Sequence, residues 1–147
     1  MENFFISSSL QMQDFAHRIA KNILPKQTIA LLGTLGVGKS FFAKNFINFL
    51  QDQPSEILSP TFNLVYQYDT ILGKVFHFDL YRLKTSDELE NIGFFDILQN
   101  HITLIEWPQI AEKYLPKNCL KITIKNVFDE NNALNEEARQ IIVEHNE

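Results

Sequence analysis

The sequence predicts an α/β fold of three layers, helices on both faces of a mixed, partly antiparallel central sheet. Three observations carry that expectation. Residues 28–32 (Thr-Ile-Ala-Leu-Leu) form an apolar run too short for a helix, and they lead through a glycine-containing loop into an amphipathic stretch over residues 39–50. Residues 62–68 and 74–80 read as two strands joined at 69–73, an antiparallel hairpin. With 147 residues, 45% of them hydrophobic, 13 phenylalanines and only five glycines and five prolines, the chain suits one domain over residues 1–147. A domain of that size buries roughly 70% of the surface its unfolded chain exposes, which excludes disorder as its main state.

Taken in order, Ser7 to Ser9 offer caps for a helix over residues 10–22, with Leu10, Phe15, Ile19 and Ile23 on one face and Pro25 beyond its end. The strand at 28–32 and the helix at 39–50, with Phe42, Phe46, Phe49 and Leu50 at helical spacing, follow. Pro54 and Pro60 mark a loop before the hairpin. Ser86 offers a cap for a short helix through Asn91, which Gly93 closes, and residues 94–98 form another short helix. Residues 102–105 read as a strand, 109–114 as a short helix, and 119–125 and 139–145 as strands that pair antiparallel across a polar connector at 129–137. There is no internal repeat and no low-complexity tract.

Charge narrows the function classes. Ten lysines and three arginines face 18 acids, giving a net charge of −5, a poor endowment for neutralising many backbone phosphates. Any role with nucleic acid is therefore expected to be indirect. Cys119, the single cysteine, has no partner for an internal disulfide, no basic region precedes a long apolar run near Met1, and no stretch approaches a membrane span. A soluble protein in a reduced, cytoplasmic setting is the expectation.

Gly33-Thr34-Leu35-Gly36-Val37-Gly38-Lys39-Ser40 satisfies the phosphate-loop pattern G-x-x-x-x-G-K-[ST] between the expected strand and helix. Successive backbone N–H groups of such a loop converge on a polyphosphate, and the helix start beyond it adds unpaired donors and a partial positive charge. Gly33, Gly36, Val37, Gly38, Lys39 and Ser40 are the expected nucleotide-binding residues. Lys39 is expected to reach the β- and γ-phosphates, and the Ser40 hydroxyl to serve as a Mg²⁺ ligand. The sequence thus points to a P-loop NTPase-like fold.

Hydrolysis also asks for a carboxylate that holds Mg²⁺ or orients water at the C-terminal end of a parallel strand. Two positions qualify, Asp79 after residues 75–78 and Glu106 after residues 102–105, and either suits a metal-facing acid. Thr61, in Ser59-Pro60-Thr61-Phe62, fits both a switch residue sensing the γ-phosphate and a proline-initiated turn that starts a strand. Arg82 suits either stabilisation of transferred phosphate charge or pairing with a nearby acid. His77 reads as a packed, hydrogen-bonded histidine, Cys119 as a small buried residue, and Trp107 as packing at the site or facing a partner.

These motifs, in this order, resemble the TsaE/YjeE family, the ATPase of tRNA threonylcarbamoyladenosine biosynthesis. The resemblance spans about residues 31–107: the phosphate loop, Ser59-Pro60-Thr61-Phe62 with Leu64-Val65, His77-Phe78-Asp79-Leu80-Tyr81-Arg82, and Glu106-Trp107. Glu137-Ala138-Arg139 also looks like that family's closing segment. The resemblance implies ATP and Mg²⁺ as cofactors and weak ATPase activity alone that rises with the partner proteins TsaB and TsaD. Those partners would transfer a threonylcarbamoyl group to tRNA while the ATPase supports turnover. It further implies Ser40 and Glu106 as Mg²⁺ ligands, Gly36 to Phe41 as the residues that hold the phosphates, and roles for Thr61, Asp79 and Trp107 in hydrolysis or its coupling to partners. Thr34 stands where the family commonly carries an acid, Ser40 where it carries threonine, and Met12 near where it often carries threonine.

Two other activities share the loop. A small-molecule kinase would need cationic clamps for two sets of phosphates, and Arg18, Arg82 and Arg139 lie far apart in the chain. A GTPase would need Asn-Lys-x-Asp and Asp-x-x-Gly sequences, which are missing. A third reading is a non-catalytic adaptor, whose partner senses ATP through residues 59–62.

Overall fold

The structure is a computed structural model that describes residues 1–146. Its elements are β1 (Glu2–Ile6), α1 (Ser9–Lys21), β2 (Thr28–Leu32), α2 (Lys39–Leu50), β3 (Val65–Thr70), β4 (Gly73–Asp79), α3 (Glu88–Asn91), α4 (Phe94–Asn100), β5 (Ile102–Glu106), a 3₁₀ helix (Pro108–Tyr114), β6 (Leu120–Phe128) and β7 (Leu134–His145). The seven strands form one sheet in the order β1-β7-β6-β2-β5-β4-β3. Its centre, β6-β2-β5-β4, is parallel, and the flanking pairs β1·β7, β6·β7 and β3·β4 are antiparallel.

Alternation along the strands separates two cores. Ile29 and Leu31 of β2, Val75 of β4, and Ile102 and Leu104 of β5 point to one face, where Met12, Phe15, Ala16 and Ala20 of α1 and Phe42, Phe46, Ile47 and Leu50 of α2 cover them. Ala30, Phe78 and Ile105 point to the other, against Leu89, Phe94, Leu98 and Ala111 of α3, α4 and the 3₁₀ helix. Helices on both faces of a mixed sheet make the expected three-layer, P-loop NTPase-like fold. Among the described residues no helix is long and apolar enough to cross a membrane.

The strand at 28–32 and the helix at 39–50 have the expected bounds. Elsewhere tertiary pairing moves the boundaries. Glu2–Ile6, which local pattern leaves unassigned, is a strand because β7 supplies its ladder, Glu2 opposite Val143 through Ile6 opposite Arg139. The β3 strand starts at Val65 rather than residue 62, since residues 60–63 form a turn in which Leu64 N–H donates to the Pro60 carbonyl at 2.7 Å. The β7 strand starts at Leu134, inside the expected connector, because Val127 and Phe128 pair with Asn135 and Leu134. Ser8 caps α1, its side chain accepting from Gln11 N–H, and Met12 rather than the 65% exposed Leu10 enters the core. On α2, Phe49 is exposed while Phe42 and Phe46 are buried. Ser86 makes no side-chain cap, α3 begins only at Glu88, and α4 runs on to Asn100.

Candidate functional site

The β2 strand delivers the chain into the phosphate loop, and α2 carries it away. Gly33 has φ +146°, and a Cβ there would fall 2.5 Å from the Ile124 carbonyl oxygen and 2.7 Å from Val37 Cγ1. Only glycine lets the loop leave β2 so close to β6. Gly38, at φ +120°, is the residue before the first turn of α2. Val37 is buried, which anchors the loop's middle, whereas Thr34, Leu35 and Gly36 are exposed. The first turn of α2 holds Lys39, Ser40 and Phe41, whose N–H groups lie where a helix has no intrahelical acceptor.

Parallel register builds the acidic side of the site. Asp79 of β4 sits opposite Glu106 of β5, and His77 opposite Leu104, so all three polar side chains face α2. Ser40 Oγ donates toward the Glu106 carboxylate, 3.0 Å from Oε1 and 3.2 Å from Oε2. His77 Nε2 lies 2.6 Å from Glu106 Oε2, with both side chains buried. Asp79 is 4% exposed; its Oδ2 accepts from Thr61 Oγ1 at 3.1 Å and its Oδ1 from Tyr81 N–H at 2.9 Å.

Lys39 Nζ donates to the Gly33 carbonyl at 2.6 Å and stands 3.4 Å from the centroid of the Trp107 ring. Burial pulls its ammonium below the ordinary lysine value, and the charges of Glu106 and Asp79 offset part of that loss. Trp107 itself has φ 54° and ψ 60°. A bulky residue held in the left-handed region directly after a strand-end acid is the kind of strain that collects at functional sites. That conformation lays the indole over Lys39 and 4.8 Å from the Tyr81 ring.

The expected site residues therefore divide. Lys39, Ser40, Asp79, Glu106, Thr61 and Trp107 converge on the start of α2, with Ser40 and Glu106 in direct contact. Arg82 does not point to an acid: its Nη1 donates to the Phe62 carbonyl at 3.0 Å, and its guanidinium lies 5.8 Å from the Phe62 ring. It thereby holds the turn that carries Thr61.

Arg139 is the contact that sequence reading misses. Residues 136–138 of β7 have no partner on β6, a bulge between the pairs Asn126·Arg139 and Val127·Asn135. Arg139 bridges it, donating from Nη1 to the carbonyls of Glu136 and Ala138 and from Nε to the Val37 carbonyl at 2.9 Å. Its closeness to Glu137-Ala138 in the resembling segment is the one signal that singled it out. Beside it, Met12, Val37, Gly38, Phe41 and Glu137 border a cavity of about 190 Å³.

Whether these residues suit a Mg²⁺-nucleotide can be tested on the donor set. A serine hydroxyl and a carboxylate, both hard oxygen donors, meet at the start of a helix whose first N–H groups have no intrahelical acceptor. Among the described residues no three His, Cys, Asp or Glu side chains form a cage of their own. The Ser40 hydroxyl and Glu106 carboxylate would leave the rest of a Mg²⁺ shell to phosphate oxygens and water, and the residues fit.

Comparison with known proteins gives one answer. The family model for the threonylcarbamoyl adenosine biosynthesis protein TsaE matches residues 6–137. A protein of Rickettsia bellii named tRNA threonylcarbamoyladenosine biosynthesis protein TsaE is 35% identical over 130 residues, 88% of this chain and 90% of that one. Its namesake from Aquifex aeolicus is 34% identical over 132 residues, 89% and 91% of the two chains. The one from Borreliella burgdorferi is 42% identical over 100 residues, 66% and 72%. The crystal structure of Bacillus subtilis YdiB superposes with a TM-score of 0.71 at 26% identity, over 95% of this chain and 82% of that one. The matched segment runs from the last residue of β1 to the first four residues of β7 and takes in the phosphate loop and the two acids, and on that extent this chain belongs to the TsaE family.

Proposed function

We propose that this chain is a Mg²⁺-dependent P-loop ATPase that serves tRNA threonylcarbamoyladenosine formation, acting with TsaB and TsaD and touching tRNA only through them. The observation that carries the reading is the contact of Ser40 Oγ with the Glu106 carboxylate at 3.0 Å, two residues 66 positions apart brought together at the N-terminus of α2. Family membership supports the pathway and the partners. The net charge of −5 fits RNA contacts made elsewhere.

The phosphates would lie on the N–H groups of residues 36–41, in the positive field of the α2 N-terminus. Lys39 would leave the Gly33 carbonyl for the β- and γ-phosphates, a short swing from a pocket it shares with Asp79 and Glu106. Ser40 and Glu106 would hold Mg²⁺, which when bound neutralises charge on the transferred phosphoryl group. Thr61 Oγ1 donates to Asp79 and lies 2.8 Å from Ser59 Oγ, so an engaged γ-phosphate would compete for its hydroxyl and move residues 59–64. We place the nucleoside in the cavity bordered by Met12, Gly38 and Phe41.

One observation favours a second reading, the non-catalytic adaptor. Phe62 is 83% exposed on the turn that Thr61 and Arg82 tie down, a projecting ring that a partner could read. Phosphate release separates the two, since an adaptor binds ATP and releases none.

The experiment for the main reading is co-purification with TsaB and TsaD at controlled ATP and Mg²⁺, beside ATP titration of the Lys39→Ala variant. The expected outcome is a nucleotide-dependent complex and lost ATP affinity in a folded variant. Unchanged affinity in Lys39→Ala would count against the phosphate-loop assignment.

A further inference from the structure

His77 is 1% exposed and sits on β4 between Phe76 and Phe78, where burying an unpaired imidazole would be costly. Its compensation is specific. Nε2 lies 2.6 Å from Glu106 Oε2, and Nδ1 has no hydrogen-bond partner among the described residues. An ionised carboxylate only accepts, so in this contact Nε2 is the donor.

The Glu106 carboxylate is then held from two sides. His77 takes Oε2 from within the sheet, and Ser40 Oγ approaches from α2, nearer to Oε1. The parallel ladder sets this diagonal: Asp79 is opposite Glu106, and His77 is two residues earlier on the same face. From there its ring reaches the carboxylate across the two strands. A ligating carboxylate free to rotate would present its oxygens in many orientations, whereas one pinned through Oε2 keeps Oε1 turned toward Ser40.

We propose that His77 is a positioning residue: through Nε2–H···Oε2 it fixes the rotation of the Glu106 carboxylate, so that Ser40 and Glu106 are preorganised for the divalent cation that arrives with the nucleotide. The inference rests on the Mg²⁺-nucleotide reading above and adds a residue that acts on the metal through another. Losing such an outer partner typically costs roughly 10–100-fold in metal affinity.

The test titrates a fluorescent ATP analogue into wild type, His77→Leu and His77→Gln, in EDTA and across a range of Mg²⁺, with thermal unfolding recorded for each. The expected result for His77→Leu is a Mg²⁺ midpoint raised by roughly 10–100-fold with affinity in EDTA unchanged. His77→Gln, whose amide N–H reaches a similar position, should recover most of the loss. A role in core packing alone would lower the melting temperature without moving the Mg²⁺ midpoint. An unmoved midpoint in folded His77→Leu, or equal losses with and without Mg²⁺, overturns the proposal. Should His77→Leu fail to fold, His77→Asn, polar but too short to reach Glu106, takes its place under the same outcomes. Wild-type binding that ignores Mg²⁺ would overturn the underlying reading together with the proposal, while Mg²⁺-dependent wild-type binding with an unmoved variant overturns the proposal alone.

Discussion

The Arg139 guanidinium, on β7, donates from Nε to the Val37 carbonyl inside the phosphate loop at 2.9 Å. With Nη1 bound to the carbonyls of Glu136 and Ala138, the side chain is a strut between the β7 bulge and the loop. A loop whose N–H groups must point inward together loses affinity when its backbone is free to turn. Arg139→Ala is therefore expected to weaken ATP binding by about five- to tenfold, the net worth of one typical hydrogen bond. Calorimetric titration checks it. Arg139→Lys should not recover the loss, because an ammonium cannot span both sets of carbonyls in one plane.

Trp107 is the only tryptophan, and the Lys39 ammonium stands 3.4 Å from its ring centroid. If Lys39 moves to phosphates on nucleotide binding, the indole loses a cation from its face. Intrinsic fluorescence should therefore change when ATP is added, and free Lys39→Met should already differ from free wild type. Nucleotide that binds without altering the emission would show that Lys39 stays where it is.

Cys119 is fully buried, and burial pushes its thiol from an ordinary 9.0 up to about 11. A folded-state value above the unfolded one means that stability is whole below about pH 9 and is lost as pH rises through about 11. The full loss is roughly 2–3 kcal/mol, the free-energy equivalent of holding the thiol protonated over that interval. Denaturant unfolding of wild type and Cys119→Ala at about pH 7 and about pH 10.5, on either side of the unfolded value, isolates it: the variant should lose less stability between the two. Thiol reagents should label the native protein far more slowly than the denatured one.

How much of this was legible in the sequence depends on how local each feature is. The phosphate loop with its flanking strand and helix was readable because one contiguous segment specifies glycine turns, an apolar run and an amphipathic period together. Glu106 and Asp79 are readable as strand-end acids, but local pattern leaves open which of them meets Ser40, and only the family resemblance points to Glu106. That depends on the β2·β5 and β4·β5 registers, which no local pattern encodes. The β1 strand was missed because its ladder lies on β7, at the other end of the chain. Arg139 looked remote for the same reason: only the bulge and the sheet order bring it to Val37. His77 was read as a packed, hydrogen-bonded histidine, and it is one, but its partner is set by a diagonal across two parallel strands.

The central claim is that Glu106, joined to Ser40 at the start of α2, makes the chain a Mg²⁺-dependent ATPase. Single-turnover phosphate release from ATP, with and without TsaB and TsaD, for wild type and Glu106→Ala, addresses it most directly. Wild type is expected to release phosphate in a Mg²⁺-dependent way that rises with the partners, and Glu106→Ala to lose at least about a hundredfold, as when a transition-state charge partner is removed. Full partner-stimulated release by Glu106→Ala, or ATP bound by wild type with no phosphate released in either condition, would contradict it.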